Sequence, residues 1–173
     1  MAEPARRNEW WKTAIVTVVA IELLGGLSGW LSQSGYGNPW FDALQKPSFM
    51  PPGFLFGIVW PTLYALLGLA LAMIVAEPPS DRRRLALILF GVQMVLNFAW
   101  SPIFFAGHDI TLARYVIIAM IVIAAAAALL FYRLRPVAGL LMVPYLCWLM
   151  FATALNTSIE ALNPGGGVAL FQP

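Results

Sequence analysis

The sequence predicts an all-α, integral membrane bundle of five transmembrane helices. Five stretches, 13–32, 54–76, 85–107, 115–132 and 136–159, are continuously apolar and hold 18 to 24 residues each. At ~1.5 Å rise per residue these lengths match a hydrocarbon core of ~30 Å. Composition agrees, since 61% of the residues are hydrophobic and 10% charged, against roughly a quarter charged in soluble domains. The runs do not alternate as barrel strands do. In lipid each backbone group must therefore bond within its own helix.

The first span follows Arg6, Arg7 and Lys12. Its length and the lack of an A-x-A-like site mark it as an uncleaved helix rather than a signal peptide. Glu22 is the one Asp, Glu, Lys or Arg inside any of the five spans. It reads either as a proton or ligand group, or as a protonated partner bonded across the close approach that Gly25 and Gly29 permit.

Residues 34–53 form the one long connection, with Pro39, Pro47, Pro51 and Pro52 restricting its backbone and Trp40, Phe41, Phe49 and Met50 making it apolar. It is expected to fold over the end of the bundle as a lid. The alternative is an interfacial anchor with Trp40 at the headgroups and Lys46 reaching lipid phosphate. The other connections are short, so consecutive spans should be antiparallel neighbours in a single domain covering 1–173.

Basic residues divide unevenly between the two sides. Arg6, Arg7, Lys12, Arg82, Arg83, Arg84, Arg133 and Arg135 fall on one side, Lys46 and Arg114 on the other. For a bacterial cell membrane this places the N-terminus in the cytoplasm and the C-terminus outside. The net charge of +2 is a topology signal, not a nucleic-acid footprint. Cys147, the single cysteine, excludes an intramolecular disulfide or a cysteine metal cluster. His108, the single histidine, is expected to be a solvated loop residue, and no metal site is expected.

Inside the spans, polar and aromatic residues share faces. Gln93, Asn97 and Ser101 recur every four residues, with Trp100 and Phe104 on the adjacent track; Trp148, Ala152, Leu155 and Asn156 repeat the design in the fifth span, and Phe56, Trp60 and Tyr64 in the second. Two readings stand. The amides bond neighbouring helices while the rings fill space, or the three faces enclose one cavity for a flat, mostly apolar ligand with a few polar groups. Trp60, Trp100 and Trp148 favour the cavity, because they lie away from the interfacial belts where Trp is usual, and a buried indole needs an N–H partner. Pro61, Pro102 and Pro144 each remove a backbone donor and are expected to kink their helices, although proline is also simply commoner in membrane helices.

Four motifs in order resemble the TspO/translocator protein family, the tryptophan-rich sensory proteins or peripheral-type benzodiazepine receptors. They are W-F-x-x-L-x-K-P at Trp40 to Pro47 followed by Pro51-Pro52, V-W-P-x-L-Y at Val59 to Tyr64, Q-x-x-L-N-x-x-W-S-x-x-F-F at Gln93 to Phe105, and P-Y-L-x-W-x-x-F-A-x-x-L-N at Pro144 to Asn156. The resemblance implies a five-helix bundle, homodimeric, that binds porphyrins and synthetic isoquinoline and benzodiazepine ligands in a pocket closed by the first loop. By that resemblance the pocket is lined by Trp40, Phe41, Phe49, Pro51, Trp60, Tyr64, Asn97, Trp100, Phe104, Trp148, Ala152 and Asn156. It also implies slow light- and oxygen-dependent porphyrin breakdown, with Trp60 and Trp148 as the implicated pair.

The chain departs from the family pattern at three places. Phe49 stands where the loop usually has Trp, and Phe41 where Tyr is common. Thr157, Ser158 and Ile159 follow Asn156 with no later base, which argues against high-affinity sterol recognition. The expected function is a membrane sensor or regulator that binds a tetrapyrrole, a porphyrin or haem-type ligand rather than a required cofactor, with Lys46 meeting its carboxylates at the cavity mouth. The alternative is a transporter of porphyrins or other amphiphiles, and the lipid bilayer is the partner in either case.

Overall fold

The computed structural model describes residues 10–165. Its elements are α1 (Trp10–Leu31), α2 (Pro39–Ala43), α3 (Gly53–Val75), α4 (Asp81–Ser101), α5 (Ile110–Leu134), α6 (Pro136–Leu141) and α7 (Val143–Leu162), with a π-helical turn, Pro102–Ala106, continuing α4. Five spans long and apolar enough to cross a membrane result: α1, α3, α4 with its π turn, α5, and α6 with α7. No strand occurs among the described residues. The protein is a multi-pass integral membrane protein. Arg6, Arg7 and both chain ends, on which the expected orientation partly rests, lie outside the described residues.

Helix ends differ from the expected bounds where a cap is present. Ser80 accepts the Arg83 amide at 3.1 Å and starts α4 at Asp81, so Arg82, Arg83 and Arg84 belong to the helix rather than to the loop before it. Arg83 then donates back to the carbonyls of Ile74 and Val75 at 3.0 and 2.8 Å, capping the open end of α3. Asp109 accepts the Leu112 amide at 2.8 Å and starts α5 at Ile110.

The prolines act in three ways. Pro61 sits inside an α3 that remains one helix. Pro144 lies in the first turn of α7, just past the break at Met142 that separates it from α6, where its missing N–H costs nothing. Pro102 opens the π turn, and Gly107 donates to the Pro102 carbonyl at 2.8 Å. Such a turn sets successive side chains closer in angle than an α-helix does, and the adjacent Phe104 and Phe105 are both buried.

α1 packs along α3, α4 along α5, and α5 against α6 and α7. The main core lies between α3, α4, α5 and α7, around Leu67, Phe90, Met120, Phe131, Tyr145 and Leu149. Phe90 and Phe131 stack there at 5.5 Å. A second cluster at the loop end joins Phe41, Leu44, Phe104, Phe105, Ile110 and Ile159. The outward faces are apolar as lipid requires, with Val16, Leu23, Trp30, Val95 and Val122 exposed. Of the small-residue run in α5, Ala124, Ala127 and Ala128 are buried within the chain itself.

Candidate functional site

A cavity of about 510 Å³ opens inside the loop end of the bundle, a volume in the range of small-molecule sites. Its walls come from α1, α3, α4 with its π turn, and α7, and the first loop roofs it. Of the residues singled out in the sequence, Phe41, Trp60, Tyr64, Asn97, Trp100, Phe104, Trp148, Ala152 and Asn156 surround this one space.

The floor is a hydrogen-bonded chain. Tyr64 donates to Asn97 Oδ1 at 2.8 Å, Asn97 Nδ2 donates to the Tyr145 hydroxyl at 3.1 Å, and Tyr145 donates to Gln93 Oε1 at 2.8 Å. Gln93, fully buried, therefore bonds between helices and does not line the cavity, while Asn97 does both. The Tyr64 proton is committed, so toward the cavity its hydroxyl offers only acceptor lone pairs.

The walls are aromatic. Trp60 and Trp148 meet edge to face at 6.3 Å, Phe56 and Trp148 at 5.7 Å, and Trp100 stacks on Phe104 at 5.0 Å. Indole Nε1 of Trp100, Nε1 of Trp148 and both amide atoms of Asn156 are buried without a partner in the protein. Left so, each would cost free energy comparable to a lost hydrogen bond. Trp100, Trp148 and Asn156 all line the mostly apolar chamber.

The loop is a folded lid. Asn38 caps α2, accepting the Phe41 amide at 3.1 Å. Asn163, just past α7, accepts the Gln45 amide and donates to the Gln45 carbonyl, both at 2.8 Å. Phe41 and Met50 from this loop line the cavity.

Four residues expected at the pocket lie elsewhere. Lys46 Nζ donates to the carbonyls of Phe41, Asp42 and Leu44 at 2.7, 3.2 and 3.2 Å, because the end of α2 leaves those acceptors open. It caps the end of α2 and is not itself among the lining residues, while its ammonium lies 4.6 Å from the ring of Phe41, which is. Trp40 is not among the lining residues and sits against the cluster beside them, in edge contact with Phe104 at 5.4 Å and stacked on His108 at 4.4 Å. His108 is accordingly half-buried against an indole rather than freely solvated. Phe49 is exposed and touches Phe151 at 6.3 Å, and Pro51 is buried outside the lining, its carbonyl accepting from Tyr36 at 3.3 Å.

The first helix was missed as a wall. Glu22, Gly25, Gly26 and Gly29 all line the cavity, and Glu22 is the one charged group among its described lining residues. A Cβ on Gly25 would run into the Tyr64 ring, so glycine there lets that ring reach Asn97. The shared face of these four residues was visible, but an approach between helices and the wall of a cavity leave the same small-residue signature. Tyr145 was missed as well, since a tyrosine in an apolar run gives no sign of its partners. No group of three or more His, Cys, Asp or Glu that could hold a metal ion occurs among the described residues.

Fold and site together define a five-span helical membrane protein with an aromatic internal cavity under a latched loop. The TspO/MBR family matches residues 14–162. The chain is 36% identical to Protein CrtK of Rhodobacter capsulatus over 127 residues, covering 73% of this chain and 79% of that one. It is 36% identical to the translocator protein of Sus scrofa over 152 residues, 85% and 90% of the two chains. It is 39% identical to the tryptophan-rich protein TspO of Chlorobaculum tepidum over 127 residues, 72% and 80%. The chain belongs to the TspO/MBR family.

Proposed function

We propose that the protein is a membrane sensor or regulator whose cavity binds a porphyrin or related planar tetrapyrrole. The observation that supports this most is the convergence of Trp60, Trp100 and Trp148 on one chamber together with unpartnered polar atoms on Trp100, Trp148 and Asn156. A broad aromatic ligand stacks on indole faces, and acceptors on its edge satisfy the N–H groups that the protein leaves open. No cation stands among the described lining residues, so apolar contact and these donors supply the affinity.

Titration of tryptophan fluorescence with protoporphyrin IX in lipid nanodiscs tests the reading. Saturable quenching at micromolar ligand is expected, and an unchanged signal counts against it. A second reading, light- and oxygen-dependent porphyrin breakdown, draws on the contact between Trp60 and Trp148. Trp148→Phe should then abolish light-dependent porphyrin loss while binding persists; equal loss in both proteins removes that reading. The transporter alternative needs two access states, and ligand-dependent flux in sealed proteoliposomes would promote it.

A further inference from the structure

We propose that ligands reach the cavity sideways, from the bilayer through the seam between α1 and α3, and not through the lid. This rests on the reading of the cavity as a porphyrin site, and it makes the admitted class membrane-dissolved planar amphiphiles.

The seam changes character along its length. α1 and α3 run antiparallel, and at one level they are locked. Thr17 donates to the Gly68 carbonyl at 2.8 Å, and a Cβ on Gly68 would collide with the Val18 backbone at 2.6 Å. Closer to the loop end the seam loses its side chains. Gly26 on α1 and Gly57 on α3 are exposed, both line the cavity, and a Cβ on either would meet no atom within 4 Å. Gly29 lines the same stretch, with only Ser34 near it at 3.9 Å.

A second observation concerns the cavity behind this thinned wall. Asn156, 2% exposed, lines the same cavity with neither amide atom partnered. Gly35, on the link from α1 into the lid, also lines the cavity with no atom within 4 Å of a Cβ, but the lid itself is fastened. Asn163 pairs with both backbone groups of Gln45, Lys46 ties together the last carbonyls of α2, and Trp40 stacks on His108. Nor does charge favour entry from water, because Glu22 is the one charged group among the described lining residues and nothing there steers an anionic porphyrin inward.

The test blocks the seam after folding. Gly57→Cys in a Cys147→Ser background, purified in nanodiscs, is labelled with benzyl methanethiosulfonate, and stopped-flow tryptophan quenching follows protoporphyrin IX binding and release. The label should slow both by about tenfold or more, and reductant should restore them. Asn163→Leu should leave both within about twofold of wild type. Failure of the label to attach, unchanged exchange after labelling, or several-fold faster exchange in Asn163→Leu would each overturn the proposal. Absence of saturable quenching in wild type is a different result: it rejects the porphyrin reading, and the route falls with it.

Discussion

Asn97 and Asn156 are the same residue type on facing helices, yet they end in opposite conditions. Asn97 is bonded to Tyr64 and Tyr145, and Asn156 to nothing. The first is structural glue that also shapes the wall; the second lines the cavity with its amide unpartnered in the protein. Tyr145→Phe should strand Gln93 Oε1 and Asn97 Nδ2 and lower stability by ~1–2 kcal/mol, read as a drop in thermal midpoint in detergent. Trp100→Phe and Trp148→Phe each keep an aromatic face and delete one N–H. Each should weaken protoporphyrin IX binding by ~1 kcal/mol, about fivefold, in the fluorescence titration, with little change in stability. Sequence placed these residues on common faces, since spacing is what helical period fixes. It could not say which amide is satisfied, because that depends on where a partner such as the Tyr145 hydroxyl lands.

Among the elements, the loop was the hardest to read. Its prolines and aromatics pointed to a lid, and Phe41 and Met50 do line the cavity. The residues that fasten it carry no local pattern, because Gln45 and Asn163 lie 118 positions apart. Asn163→Leu should free the Gln45 amide, and hydrogen exchange there should rise by at least about tenfold, the loss of ~1.4 kcal/mol or more of protection. If exchange at Gln45 stays slow, the latch is not what holds the lid. The prolines show a similar limit. Their positions warned of disrupted helices, but the same residue gives a break at Met142, a π turn at Pro102 and an unbroken α3 at Pro61, and position in the run does not separate the three.

The molecule as a whole was legible from hydropathy, because lipid permits so few backbone solutions that five apolar runs already imply the bundle. What hydropathy hides is the hollow. Apolar side chains facing lipid and apolar side chains facing a cavity look alike in sequence, so Glu22 on α1 could be flagged as a ligand or proton group while Glu22, Gly25 and Gly26 were not placed in the wall. The central claim is that this hollow, rather than any outer surface, takes the planar ligand. Ala152 stands in its wall. The most direct measurement is therefore a protoporphyrin IX titration of Ala152→Trp beside wild type, with circular dichroism confirming that the helices are intact. Wild type should saturate at micromolar ligand and the filled variant should lose binding by at least about a hundredfold, as a bulky side chain in the ligand's place requires. Equal affinity in the two folded proteins would contradict the account.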